Sequence, residues 1–336
     1  MTKINAWAAE KAAARLSPFA YTTGDRPGPF EIDVRISHCG ICHSDLHLID
    51  NDWMISEYPL VPGHEIVGTV QAVGAQVSSI EVGQRVGIGW QRSSCMHCEH
   101  CIAGEENYCA QQQATCVGHF GGFAEFVRVD GRFAFALPET LSSENAAPLL
   151  CGGVTVYTPF RLYDIPAHAR VAVVGIGGLG HLALQYARAM GCEVTAFTST
   201  PEKEKELLAF GAHRVVSSTD EAGQQALQGY FDFILSTVFA DLNWMQFVGL
   251  LRPKGRLCFV GAPKSEVRFP AFALISGAKS LCGSVIGGRR MIRDMLAFSA
   301  RHGIVAQTEL FPLERVNDAL DRLRRNEVRY RAVLKV

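Results

Sequence analysis

The chain has 336 residues, 48% of them hydrophobic and 19% charged, with 32 basic against 33 acidic side chains and a net charge of −1. That length exceeds one ordinary core and predicts two domains. The balanced charge, with no basic patch or polybasic run, excludes nucleic acid and a membrane surface from the expected partners. No apolar run reaches the roughly 18 residues that a membrane span needs, and MTKINAWAAEKAAARL lacks the apolar core of a signal peptide. A cytoplasmic location is therefore expected.

In chain order, residues from about Ile32 to Val129 carry short β-rich runs such as EIDVRISHCG, GTVQAVGAQV and QRVGIGW, broken by Gly and Pro. This texture predicts an antiparallel, barrel-like domain with long functional loops. Beyond Arg170 strands and helices alternate: VAVVG, GGLGHLALQYARAMG, EVTAF, KEKELLAFGA, RVV, FDFILSTV, RLCFVGA and KSLCGSVIG. Such repetition predicts a parallel sheet covered on both faces. The tail adds an amphipathic helix, VNDALDRLRR, and a closing strand, YRAVLKV.

Three features carry chemistry. The chain has 11 cysteines, and in a reducing compartment clustered thiols point to metal rather than disulfides. Cys95, Cys98, Cys101 and Cys109 form C-x2-C-x2-C-x7-C, a set that closes a tetrahedral zinc shell and leaves no room for substrate. His97 and His100 alternate with these thiols and read as bystanders. A second, dispersed set is different: HCGICHSDLH, GHE and LLCGG offer Cys42, His64 and Cys151, the three ligands and open fourth position of a catalytic zinc. Pairing Cys39 with Cys42 as a zinc knuckle is the alternative. No second C-x2-C remains to partner it, and Cys39 reads as a small core residue.

The third feature is Gly175, Gly177 and Gly180 in G-x-G-x-x-G spacing, with Gly178 and Leu179 inside the turn. A strand precedes the turn and a helix follows, which makes it a dinucleotide-binding loop. The next strand ends in Thr198, Ser199 and Thr200, with Lys203 beyond. An NAD site places a carboxylate there for the ribose hydroxyl. Small polar groups and an ammonium instead suit a 2′-phosphate, so NADP(H) is expected, with a solvated loop as the plainer alternative. Trp53 and Trp90 flank the zinc segments and are candidates for a substrate wall, with Ile286 and Val285 on its far side.

Together GICHSDLH, YPLVPGHEIVG, VGQRVGIGW, the four-cysteine loop, GGFAEFVRV, PLLCGGVTVY, GIGGLGHLALQYARAMG and YRAVLKV resemble the zinc-containing medium-chain alcohol dehydrogenases. The branch most similar holds cinnamyl alcohol dehydrogenases and bacterial NADPH-dependent aldehyde reductases. The resemblance implies an α/β architecture. A GroES-like β-rich catalytic domain (1–151 and 289–336) would enclose a Rossmann domain of doubly wound parallel sheet (152–288). It also implies Glu65 as a carboxylate behind the zinc that can swing in as an alternate ligand, and Asp45 as the partner of the His64 ring. Ser44 and His47 become a proton relay, Thr155 a hydroxyl beside the nicotinamide, and His43 and Arg331 partners of the pyrophosphate or of Glu65. Thr198 falls where NAD-using members are acidic.

The expected activity is zinc-dependent hydride transfer between NADP(H) and an alcohol/aldehyde pair, by a broad-range aldehyde reductase with two zinc ions per chain. The expected assembly is a homodimer. An NAD-linked alcohol or polyol dehydrogenase is the alternative within the enzyme class. A non-catalytic zinc- and nucleotide-binding sensor is the alternative outside it. Residues that shape a cinnamyl-type pocket are not clearly reproduced, so the physiological aldehyde does not come with the resemblance.

Overall fold

The computed structural model describes residues 2–263 and 265–336. These divide into two compact units, one holding the chain up to Val154 together with Ile286–Val336, the other Thr155–Val285. Among the described residues no helix is long and apolar enough to cross a membrane.

The first unit is built on a seven-stranded sheet. Glu31–Ile41 lies centrally, paired antiparallel with Glu65–Val73, with Phe126–Asp130 and with the C-terminal strand Arg331–Lys335. Thr308–Pro312 joins Arg331–Lys335 in parallel, and Arg85–Ile88 and Ala134–Ala136 extend the other side. Alternation decides the facing: Ile32, Val34, Ile36, Val70 and Ile66 are buried in one core with Leu320 and Leu334 from the tail. Hydrophobic burial thus draws the last strand into the first unit, register Leu334↔Cys39. A hairpin of Thr2–Ala8 and Ser17–Thr23 packs beside it.

The second unit is a six-stranded, wholly parallel sheet. In order across the sheet the strands are Arg214–Ser217, Glu193–Thr198, Arg170–Val174, Phe231–Ser236, Leu251–Phe259 and Ser280–Gly283. Numbered along the chain this is 3-2-1-4-5-6, the doubly wound dinucleotide-binding order, which reverses direction beside the first strand. Helices on both faces bury it: Val171, Ala172, Val173 and Val174 are all inaccessible, as parallel strands require.

Candidate functional site

The dispersed metal donors converge in the first unit. Ligand atoms of Cys42, His64, Glu65 and Cys151 all lie within 4.8 Å of one another. Cys42 closes the Glu31–Ile41 strand and begins the His43–Asp50 helix, so its position is fixed from both sides. His64 sits immediately before the Glu65–Val73 strand. Cys42 Sγ is 4.0 Å from Cys151 Sγ, which is 3.3 Å from His64 Nε2. Zinc bonds of about 2.3 Å to sulfur and 2.0–2.1 Å to nitrogen put tetrahedral donors roughly 3.6–3.8 Å apart. The two separations fall on either side of that spacing, each within about 0.3 Å of it, so the set fits the ion.

Asp45 explains why they stay there. Its carboxylate is fully buried and accepts from Cys42 N at 2.8 Å, Gly63 N at 3.0 Å and His64 Nδ1 at 3.0 Å. One side chain thereby ties the two ligand loops together and turns His64 Nε2 toward the sulfurs. Electrostatics prepare the sulfurs as well. The hydrogen bond from Cys151 pulls the Cys42 thiol well below its ordinary value, and Cys151, the donor, moves up.

Glu65 lies close enough to belong to the donor set and is also bonded to a cation. Its carboxylate receives a hydrogen bond from Arg331, itself only 4% exposed, leaving Glu65 Oε2 and Arg331 Nε without partners. Of the two partners expected for Arg331, the structure brings it to Glu65. Gly40 makes the arrangement sterically possible, because a Cβ there would lie 2.0 Å from Glu65 Oε2. Glycine-for-carboxylate accommodation was not legible in the sequence.

Around this centre, Ser44 Oγ is 3.7 Å from Cys42 Sγ. His47 stands one helical turn on, its Nδ1 2.7 Å from Asp52 Oδ2 and its ring stacked on Trp53 at 5.2 Å. Trp53 meets Trp90 edge-on at 6.1 Å, and Trp90 meets His64 at 5.0 Å. The two tryptophans therefore run in continuous ring contact from His64 to His47. His43 is half-buried and its imidazole is pushed down by that burial. Ile286 is the first residue of the segment that returns to the first unit, in the left-handed region with φ 35°. Cys39 is buried in the core between Ile66 and Leu334.

The four-cysteine loop is a separate cluster, with all four sulfurs within 4.8 Å of one another and Cys95 Sγ 3.8 Å from Cys101 Sγ. Backbone N–H groups of His97 and Cys98 bring the Cys95 thiol down to about 6. His97 turns away to Cys95 O and His100 toward Glu99 and Glu105. Glu106 lies fully buried in the same loop and accepts from Arg289 N and Nε at 2.9 and 2.6 Å, anchoring the loop to the Arg289–His302 helix.

In the second unit the glycines of the turn divide their work. Gly175 has φ +88° and faces Val238, so a side chain is excluded. A Cβ on Gly180 would lie 2.1 Å from Gly175 O, so the Gly180–Ala189 helix packs as close as backbone permits. A Cβ on Gly177 would meet nothing within 4 Å, which leaves open the side from which a pyrophosphate approaches. Gly178 and Leu179 complete the turn, half-buried. Thr237, missed in the sequence, braces it by donating to Gly175 O at 2.6 Å. Thr198 ends its strand buried, with Oγ1 accepting from Thr200 N at 3.1 Å, while Ser199 is exposed and Lys203 half-buried. Thr155 lies buried in the Gly152–Leu162 helix.

Comparison with known proteins bears on both units. Residues 28–139 match the alcohol dehydrogenase GroES-like domain, and residues 178–301 match the zinc-binding dehydrogenase family. The chain is 44% identical over 331 residues to an aldehyde reductase of Synechocystis sp., covering 98% of each chain. A cinnamyl alcohol dehydrogenase of Sorghum bicolor superposes with a TM-score of 0.94 at 38% identity, covering 99% of this chain and 98% of that one. The CAD of Helicobacter pylori, solved complexed with NADP(H), gives 0.91 at 30% identity over 99% and 98%.

Proposed function

We propose, from the premise that this chain belongs to the zinc-dependent medium-chain alcohol dehydrogenase family, that it reduces aldehydes with NADPH. The observation that carries this reading is the contrast between two donor sets. Four thiols form one closed set, while Cys42, His64 and Cys151 form a set whose fourth neighbour, Glu65, is bonded to Arg331. In the open set zinc would supply a Lewis acid that polarises a carbonyl, and a dinucleotide on the glycine turn would supply hydride.

The chain's own residues do the rest. Asp45 fixes the tautomer of His64 and the distance between the ligand loops. Arg331 neutralises Glu65 and keeps it off the open position. Ser44 gives its hydroxyl proton to the substrate oxygen as that oxygen takes on negative charge. His47, three residues along the same helix, resupplies the proton. Asp52 orients the imidazole from its solvent side. Trp53 and Trp90 exclude water from one side of the reacting carbonyl and favour an apolar substrate there.

Preference for NADPH is supported by what ends the Glu193–Thr198 strand. No carboxylate stands at the end of that strand, and Ser199 and Lys203 follow it closely in the chain. Thr198 contributes by being uncharged, and its hydroxyl oxygen accepts from Thr200 N without using its own O–H. We also propose a homodimer in the cytoplasm. Exposed Phe272, Ile275 and Val285, at 71%, 70% and 52%, sit close in sequence to the Ser280–Gly283 edge strand and suit a partner copy.

Following NADPH and NADH oxidation with aliphatic and aromatic aldehydes, alongside metal analysis, tests the reading. Two zinc ions per chain and faster turnover with NADPH are expected. Faster turnover with NADH, or a single zinc, would overturn the corresponding part. Lys203→Ala combined with Thr198→Asp should weaken NADPH binding and spare NADH.

A further inference from the structure

Two thiols on the parallel sheet have no part in the proposed chemistry. Cys258, on Leu251–Phe259, and Cys282, on Ser280–Gly283, are in register on adjacent strands, so their side chains leave the same face. Each thiol is near enough to shift the other's ionisation, and Cys282 Sγ also donates to Leu257 O at 3.7 Å. Neighbouring strands run about 4.8 Å apart, within the Cα span of about 4.4–6.8 Å that a disulfide bridges. Outside the two metal donor sets, Cys282 is the one cysteine that is not buried, whereas Cys258 is fully buried.

The surroundings separate the two sulfurs chemically. The Cys282 thiol is brought down to about 7, first by the Cys258 thiol, then by Tyr163 and the Arg256 charge, against the opposing effect of burial. Cys258 moves up, chiefly through the same pairing. Arg256 is held in place by donating to Tyr163 O at 3.0 Å and by lying over the Tyr163 ring. Cys282 lies on the edge strand of the sheet, and a partly exposed bridge is more easily reduced than a buried one.

We propose that Cys258 and Cys282 form a peroxide-oxidised, reversible disulfide site on the parallel-sheet unit. The Cys282 thiolate attacks one peroxide oxygen, the O–O bond breaks, and after protonation a sulfenic acid and one water result. The Cys258 sulfur then attacks Cys282 sulfur, the S–O bond breaks, and the Cys258 proton leaves with the hydroxyl as a second water. Two thiols are oxidised and one peroxide is reduced, with no other reactant.

The test is limiting hydrogen peroxide on the zinc-loaded protein, followed by alkylation of remaining thiols, peptide mass spectrometry and zinc release. A linked Cys258–Cys282 peptide should form at least ~10-fold faster than oxidation at any other cysteine. It should disappear with dithiothreitol, and zinc should stay bound. Cys258→Ala, which keeps the buried position apolar, should stop the reaction at a dimedone-reactive sulfenic acid on Cys282. Cys282→Ala should leave Cys258 unreactive. Earlier oxidation of the zinc-ligand cysteines, a bridge to any other cysteine, or an unchanged outcome in Cys258→Ala would each overturn the proposal.

Discussion

Replacing Gly40 with alanine measures how firmly the carboxylate behind the metal donors is held. Gly40 pairs with Glu65 across the sheet, and an added Cβ would lie 2.0 Å from Glu65 Oε2 and 3.0 Å from its Cβ and Cδ. Glu65 cannot step aside freely, because it is fully buried and bonded to the buried Arg331. Two responses remain. Spreading the strands is an overpacking cost of about 1–3 kcal/mol, whereas rotating Glu65 off Arg331 unpairs two buried charges at roughly 3–5 kcal/mol. The cheaper route wins, so a loss of about 2–3 kcal/mol is expected. Urea denaturation of the zinc-loaded protein, followed by tryptophan fluorescence, should show a lower midpoint at constant slope. In a Glu65→Ala background the clash with the carboxylate is gone and only the 3.0 Å approach to the Cβ remains, so the same alanine should cost under ~1 kcal/mol and the cycle should give a coupling of about 1–2 kcal/mol. Equal losses in both backgrounds would refute the steric account.

Three other outcomes follow from the geometry. Gly177→Ala should leave thermal stability unchanged yet weaken nucleotide binding at least ~10-fold by titration calorimetry, while Gly180→Ala should lower stability itself, since its Cβ would strike Gly175 O. Cys95→Ala should release one zinc and destabilise the first unit, whereas Cys42→Ala should leave the fold largely intact and abolish turnover; parallel behaviour would erase the distinction between closed and open sets. Burial, helped by Arg92, holds the His119 imidazole down to about 4. Against an ordinary value of about 6.5, the unfolded chain takes this proton first, so the contribution is complete above that pH and lost as pH falls toward 4. Discounted for solvent screening, it should amount to roughly 1 kcal/mol, read as the difference in urea midpoints between wild type and His119→Gln across that range.

Legibility in the sequence followed the physics of each element. The four-cysteine loop and the glycine turn were readable because their donors are close in the chain, and spacing alone nearly fixes the geometry. The alternation after Arg170 announced the parallel sheet, since burial on both faces demands unbroken runs such as VAVV. The N-terminal hairpin left no such mark: AWAAEKAAARL is rich in helix formers, and Thr2–Ala8 becomes a strand through its partner Ser17–Thr23. Thr237 and Asp52 were likewise invisible, because each acts through one contact with a residue whose role only folding reveals.

The dispersed site shows where resemblance and spacing reach their limit. Cys42, His64 and Cys151 can be named from motifs, yet nothing in the motifs says what prevents Glu65 from becoming a fourth ligand. That restraint depends on Arg331, 266 positions away from it in sequence. The C-terminal strand must return to pair with Glu31–Ile41 before its first residue can reach the carboxylate. Gly40, on the strand between them, supplies the space by having no side chain. On the proposed function, an open coordination position is a property of the completed sheet, and the last strand, which carries no proposed metal ligand, helps decide whether the site can accept a substrate.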